Sequence, residues 1–67
     1  NKNFYDLINE KRINKAKILL HQQVSDLSIE GIGYESGFNS KASFYRSFKK
    51  YTSHTPSEYM QMEKSLN

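Results

Sequence analysis

The chain has 67 residues, of which 10 are lysine or arginine, 7 are aspartate or glutamate and none is cysteine, so its formal net charge is +3. This length allows one small domain at most, and the lack of cysteine excludes disulfides and cysteine-based zinc sites. The two histidines lack the spacing of a metal site, and no apolar run approaches the roughly 20 residues that span a bilayer. We therefore expect packed helices with no metal, cofactor or membrane segment, in a protein of the reducing cytoplasm.

The first predicted helix covers residues 3–22, with Asn3 as its N-cap, and we assign residues 1–22 as a linker helix. Its apolar residues recur at helical spacing: Phe4, Leu7, Ile8, Ile13, Ala16, Leu19 and Leu20. The apolar arc is wider than one packing surface requires. We expect the end near Leu19 to pack on the rest of the chain and the end near Phe4 to pack on something outside it. The chain opens directly on this pattern and not on a methionine, so we expect a piece of a larger protein.

Arg12 lies in the middle of that apolar arc. A buried arginine needs a partner. One interpretation is a structural salt bridge whose aliphatic stem packs along the core. The other is a phosphate contact made from the linker helix.

A short polar connector over residues 23–27 leads to the second part of the chain, residues 23–67. Ser28 is the predicted N-cap of a helix that ends at about residue 35 or 36, with Glu30 near its positive end. Two glycines, Gly31 and Gly33, lie inside this helix, and each costs roughly 0.5–1 kcal/mol relative to alanine. They indicate either close approach of another helix or merely tolerated positions.

Gly37 follows, at the point where a left-handed residue ends a helix at the least cost. Phe38 is expected to fill the corner, and Asn39 or Ser40 to cap the next helix. That helix covers residues 41–51 and has two distinct faces. One face carries the aromatic residues Phe44, Phe48 and Tyr51. The opposite face carries Ala42, Ser43, Arg46, Lys49 and Lys50.

The last predicted helix begins at Pro56, where a missing N–H is no loss. Thr55 is its N-cap, and Glu58 completes a capping box. The tail from about Lys64 is expected to be frayed. The pattern as a whole predicts an all-α fold, a small bundle of about four helices that contains a homeodomain-like helix-turn-helix.

Charge is distributed unevenly along this pattern. No aspartate or glutamate occurs between Ser36 and Ser57, a segment that contains Lys41, Arg46, Lys49 and Lys50. Duplex DNA is a dense line of phosphates, so a surface that approaches it should carry cations and exclude carboxylates. The segment is therefore typical of a DNA-reading helix-turn-helix.

The chain resembles the DNA-binding region of AraC/XylS-type bacterial transcription regulators, which has two helix-turn-helix units joined by a long helix. The resemblance covers the linking helix, the second unit and the final helix. It is carried by Arg12, Ile13, Ala16, Leu19, Leu20, Ile29, Ile32, Gly37, Phe38, Ser40, Phe44, Arg46, Phe48, Lys49, Lys50, Thr55, Pro56 and Tyr59. The first unit is absent. Three positions depart from the family: Gly33 replaces a usual alanine and could loosen its helix, Ser53 replaces a usual glycine and could strain the turn, and Met60 replaces a frequent arginine.

The resemblance implies a role for each position of the site. Those expected at the bases of the major groove are Lys41, Ala42, Ser43 and Arg46. Tyr45 borders them at the rim. Those expected at phosphates are Ser28, Ser40, Lys49 and Lys50. The residues expected to support the fold are Arg12, Gly37, Phe38, Phe44, Phe48 and Pro56.

We therefore expect sequence-specific DNA binding as part of a bacterial transcription regulator, weak and salt-sensitive for this piece alone. The alternative is a helix-turn-helix used to bind a protein, with RNA polymerase as a candidate partner in either case. A sensing domain is expected outside the chain. An enzyme is not expected, because the sequence shows no acid–base pair, nucleophile motif or phosphate-cradling glycine loop.

Overall fold

A computed structural model describes residues 3–22 and 26–65 of the chain. Its helices are α1 (Phe4–Gln22), α2 (Ile29–Glu35), α3 (Lys41–Thr52) and α4 (Pro56–Ser65). The described residues form no strand, which confirms the all-α prediction. Most of the predicted connector, residues 23–25, and the end of the predicted tail, residues 66–67, lie outside the described residues. The predicted boundary between residues 22 and 23 falls at the edge of the first gap.

The helices begin at the polar residues that the sequence predicts as caps. A side-chain oxygen accepts a hydrogen bond from the amide three residues later, at 2.8–3.1 Å, in Asn3, Ser28, Ser40 and Thr55. A carboxylate oxygen of Glu58 also accepts from the Thr55 amide at 2.8 Å, which completes the predicted capping box. Of the two candidates for the start of α3, the cap is Ser40. These caps satisfy amides that a helix cannot pair internally.

The core lies between α1 and the three shorter helices. Its buried apolar residues are Ile13, Ala16, Leu20, Ile32, Phe38, Phe44 and Phe48. Three aromatic contacts run through it, from Phe38 to Phe44 to Phe48 to Tyr59, with ring centroids 5.4–5.7 Å apart. Pro56 is also fully buried, where α4 begins. Packing of this kind fixes the orientation of α3 relative to α1.

The turn between α2 and α3 has the predicted geometry. Gly37 has φ 106°, in the region that only glycine enters without strain. The Phe38 amide donates to the Gly33 carbonyl at 3.1 Å, and the Phe38 ring is buried. The turn therefore ends α2 and inserts a ring into the core within two residues.

The two glycines of α2 have different explanations. A Cβ atom at Gly33 would lie 2.5 Å from Cδ2 of Phe44, closer than packed atoms approach. A Cβ atom at Gly31 would meet only Ser28 Oγ at 3.3 Å and Leu27 beyond it. Gly33 therefore permits close approach of α3, and the expectation that it merely loosens α2 is incomplete. Nothing outside its own helix end requires Gly31.

Of the two interpretations of Arg12, the structural salt bridge is not found among the described residues, and the phosphate contact stays a prediction. Within residues 3–22 and 26–63 Arg12 has no carboxylate partner. Its Nη1 donates to the Asn9 amide oxygen at 3.3 Å, and its guanidinium carbon lies 5.8 Å from the Phe38 ring centroid. Its stem also lies beside Gly37. The side chain therefore packs across the turn, with an amide and a ring as its neighbours, as a snorkelling arginine does.

The amino-terminal end of α1 is exposed. Phe4, Tyr5 and Leu7 are 71%, 74% and 50% exposed. By contrast, Leu19, near the other end of α1, packs against the core. Leu19 thus packs on the rest of the chain, as expected, and the packing of the Phe4 end on something outside the chain stays a prediction.

Candidate nucleic-acid interface

Helix α3 separates a buried face from an exposed one. Phe44 and Phe48 are fully buried. The residues predicted to meet DNA are mostly exposed: Lys41, Ala42, Arg46, Lys49 and Lys50 lie in solvent, while Ser43 and Tyr45 are half-buried. The helix is therefore anchored by aromatic rings, and its polar side is open to a partner.

At the amino-terminal end of α3, Lys41 and Tyr45 form a pair. The Lys41 Nζ lies over the Tyr45 ring, 5.4 Å from its centroid. Tyr45 meets the Phe44 ring edge-on at 5.8 Å, so the half-buried ring is held against the core. Lys41 has no carboxylate partner among the described residues. Its ammonium group is oriented by a ring, and its charge is not neutralised.

Arg46 lies near the middle of the exposed face. Within the described ranges it makes no ion pair, side-chain hydrogen bond or ring contact. A guanidinium group has five N–H donors in a planar fork. This shape suits it to bind two neighbouring acceptors at the same time. Arg46 therefore has its full donor set available to a ligand.

The carboxyl-terminal end of α3 is arranged differently, because Lys50 is not a free cation. Its Nζ lies 3.4 Å from a carboxylate oxygen of Asp6 in α1 and 5.5 Å from the Tyr51 ring centroid. The Tyr51 hydroxyl donates to the Asp6 carbonyl at 3.2 Å. Lys50 is exposed, as expected, but its ammonium group is shared with the first turn of α1. Its role at a phosphate stays a prediction.

Lys49 lies close to a carboxylate at the start of α4. The pKa of Glu58 is held below its ordinary value of 4.5, chiefly by the hydrogen bond from the Thr55 amide and to a smaller degree by the Lys49 and His54 charges. The carboxylate-free segment that the sequence shows thus ends near Glu58. The positive potential is least compensated around Lys41 and Arg46.

Ser28 and Ser40, the two other predicted phosphate ligands, are exposed cap residues. Each Oγ already accepts a hydrogen bond from a helix amide. A hydroxyl that accepts in this way still has its own proton to donate. Both can therefore cap a helix and bind an anion at the same time.

The sequence did not indicate the contact between Asp6 and Lys50. The two residues are 44 positions apart, and no local pattern connects them. The packing of the first turn of α1 against the end of α3 creates the contact, and that packing depends on the whole core.

The described part of the chain offers little for other kinds of site. It contains no group of three His, Cys, Asp or Glu side chains that could hold a metal ion. No ligand-sized pocket opens among these residues. None of the helices within residues 3–22 and 26–65 has the length and apolar character to cross a membrane.

Comparison with known proteins shows the family to which the chain is similar. A family model described as a helix-turn-helix domain matches residues 1–62. An uncharacterized HTH-type transcriptional regulator of Staphylococcus aureus (strain COL) is 41% identical over 84% of the chain, which spans 7% of that protein. The HTH-type transcriptional regulator GlxA of Rhizobium meliloti is 45% identical over 79% of the chain. The xylose operon regulatory protein of Haemophilus influenzae is 41% identical over 88%.

The chain spans 16% and 15% of those last two relatives. No solved structure gives a significant match.

Proposed function

The chain belongs to the AraC-type helix-turn-helix family of transcriptional regulators, and from this premise we propose that it reads duplex DNA with α3 in the major groove. The observation that carries the proposal is the exposed side of α3 around Lys41 and Arg46, where neither base has a carboxylate partner among the described residues. The major groove admits one α-helix, and its base pairs present distinct donor and acceptor patterns there. The amino-terminal part of the recognition helix makes the base contacts in this kind of docking.

Each exposed side chain has a contact that suits its chemistry. Arg46 can donate two hydrogen bonds to O6 and N7 of one guanine, and Lys41 can reach the same acceptors with a single charge. Ala42 can touch a thymine methyl group, and Ser43 can bond to several base edges. Tyr45 borders these residues.

Phosphate contacts would fix the register of α3 without reading sequence. We assign them to Ser28, Ser40 and Lys49, since two of these residues stand at helix amino termini, which favour anions. Lys50 can reach a phosphate only by leaving Asp6, 3.4 Å away. Its contribution is therefore smaller than that of a free lysine.

The proposal extends to the larger protein, of which this chain would be one part. The exposed Phe4, Tyr5 and Leu7 suit packing against a first helix-turn-helix unit. Specific protein–DNA interfaces bury about 1,000–2,500 Å² of protein surface, more than one unit offers, so that first unit would also add DNA contacts. A sensing domain and contacts with RNA polymerase would complete a cytoplasmic bacterial regulator. Regulators of this kind are not normally enzymes, and we propose no catalytic activity.

The same exposed apolar end favours a second candidate function, a module that binds another protein through α1. The two functions use different surfaces, so they are separable. Loss of a protein partner after substitution of the exposed Phe4 or Leu7 in α1, together with duplex binding that Arg46→Ala leaves unchanged, would support the second function over the first.

The test is the substitution Arg46→Ala in the full-length regulator, measured on duplexes selected from a random library. We expect the affinity to fall by roughly 1–3 kcal/mol, the discrimination that a bidentate base contact supplies. The control is Lys15→Ala, which removes an exposed charge from α1. Equal affinity of Arg46→Ala and the unsubstituted protein would overturn the proposal.

A further inference from the structure

The two ends of α3 carry the same kind of side-chain pair in opposite electrostatic surroundings. Lys41 lies 5.4 Å from the Tyr45 ring centroid, and Lys50 lies 5.5 Å from that of Tyr51. Among the residues that the structure describes, only the second pair has a carboxylate, Asp6. Lys41 and Lys50 are nine residues apart, two and a half turns at 3.6 residues per turn, so they project from opposite sides of α3.

The dipole of α3 favours the charge of Lys50 and disfavours the charge of Lys41. Cations are favourable near the carboxyl-terminal end of a helix and unfavourable near the amino-terminal end, where the peptide dipoles place positive charge. Lys50 is in the last turn of α3, and no acidic residue occurs in the first turn. Lys41 is the first residue of the helix, so its charge works against the fold. Within residues 3–22 and 26–63 no carboxylate pairs with it.

The Tyr45 ring defines where that charge is held. Its edge-on contact with the buried Phe44, at 5.8 Å, fixes the ring to the core. A long lysine side chain loses conformational freedom when it binds, and a side chain that is already oriented loses less. Tyr45 stands one helical turn after Lys41, the spacing at which side chains on a helix meet.

We propose that Tyr45 is a positioning residue for DNA binding, whose ring holds the Lys41 ammonium in its binding orientation, so that the two side chains act as one unit. This inference rests on the proposed function and goes beyond it, because it assigns Tyr45 more than a place at the rim. The Asp6–Lys50–Tyr51 cluster is the contrasting case, a contact that attaches α3 to α1.

A double-substitution cycle tests the unit, with the full-length regulator and the same selected duplexes. Tyr45→Leu removes the ring, and Lys41→Met removes the charge. An exposed cation–ring contact corresponds to a roughly two- to fivefold change in affinity. We expect Tyr45→Leu to weaken binding by about this factor in the unsubstituted background and to have no effect in the Lys41→Met background.

Tyr45→Phe keeps the ring and should bind as the unsubstituted protein does, which a role for the hydroxyl would not allow. Lys41→Met should raise the melting temperature slightly while it weakens binding, because it removes a charge that is unfavourable at the amino-terminal end of a helix. Lys50→Met, the matched control, should lower the melting temperature. Melting-temperature changes of opposite sign would show that Lys50 stabilises the fold, whereas Lys41 is there for binding.

Three results would overturn the inference: losses that multiply in the double variant, a Tyr45→Phe loss as large as that of Tyr45→Leu, or unchanged binding of Lys41→Met. In each case a normal effect of Arg46→Ala would leave the proposed function in place. If the unsubstituted regulator selects no duplex, or Arg46→Ala has no effect, it is the proposed function that fails.

Discussion

The turn before α3 and the turn after it both need a residue with positive φ, and they obtain it from different amino acids. Gly37 has φ 106° and Ser53 has φ 65°. Glycine enters this region without a steric penalty, whereas a side chain there costs roughly 1–2 kcal/mol. At Gly37 the missing side chain also leaves room for Arg12, whose Nε would lie 3.2 Å from a Cβ atom. In the turn before α3, the space available for a side chain therefore decides which residue can stand there.

The end of α3 depends on polar contacts instead. The Ser53 amide donates to the Lys49 carbonyl at 2.8 Å, and the Thr52 hydroxyl donates to the Phe48 carbonyl at 2.8 Å. The reciprocal hydrogen bonds of Thr55 and Glu58 then start α4. These contacts hold a serine in a backbone conformation that it does not favour. The comparison indicates that a larger side chain before α3 should destabilise the protein. In the turn after α3, a glycine should stabilise it.

The largest effect is expected from Gly33→Ala, where α2 and α3 are closest. The new methyl group would overlap Phe44, with a separation of 2.5 Å before relaxation. Overpacking costs roughly 1–3 kcal/mol and the helix preference of alanine returns roughly 0.5–1 kcal/mol, so we expect a net loss of about 1–2 kcal/mol. Urea unfolding measures it.

The matched control is Gly31→Ala, two residues earlier in the same helix. Its methyl group would meet only Ser28 Oγ at 3.3 Å and Leu27 at 3.5 Å. We expect no loss, or a gain of up to about 1 kcal/mol from helix preference. Equal destabilisation by the two alanines would contradict close approach as the reason for Gly33.

The sequence predicted what local chemistry determines. Ser28, Ser40 and the pair Thr55–Glu58 could be identified as caps because each interaction spans only three residues. Gly37 could be identified because few residues other than glycine end a helix in this way. The burial of Phe44 and Phe48 followed from their spacing.

The sequence could not resolve features that depend on distant neighbours. Whether Gly33 is required depends on the ring of Phe44 in another helix. Whether Lys50 is free depends on Asp6, in the first turn of α1. One interpretation gave Arg12 a carboxylate partner, because burial of a charge usually requires one, but the turn presents the Phe38 ring. Such features follow from the packing of distant residues, which the spacing of apolar residues along the chain does not reveal.

A smaller effect, of opposite sign, is expected from Ser53→Gly after α3. Glycine removes a steric cost of roughly 1–2 kcal/mol, and the unfolded chain regains roughly 0.5–1 kcal/mol of entropy. We expect a net stabilisation of about 0.5–1 kcal/mol. Thermal unfolding measures it.

Ser57→Gly is the control, because Ser57 is an exposed residue in the first turn of α4. There glycine relieves no strain and only loses helix preference, so the protein should become less stable. If both glycine substitutions destabilise the protein, the serine at φ 65° is not strained and the contrast between the two turns fails.

The smallest effect concerns the pH dependence of the capping box after α3. The pKa of Glu58 is lowered in the folded chain from its ordinary value of 4.5, first by the hydrogen bond from the Thr55 amide. A carboxyl group with a lower pKa in the folded state stabilises the fold above its unfolded pKa. This contribution is fully present above about pH 4.5 and is lost as the pH falls through the lower, folded value.

Glu58→Gln keeps an acceptor oxygen and removes the charge. We expect it to be less stable than the unsubstituted chain at neutral pH, and the difference to shrink as the pH falls below 4.5. Lys49→Met should reduce the pH dependence only slightly, because the Lys49 charge is a lesser cause of the lowered pKa than the Thr55 amide. A difference between Glu58→Gln and the unsubstituted chain that stays constant down to acid pH would mean that the turn after α3 does not depend on the carboxylate charge, and that the neutral caps alone hold Ser53 in place.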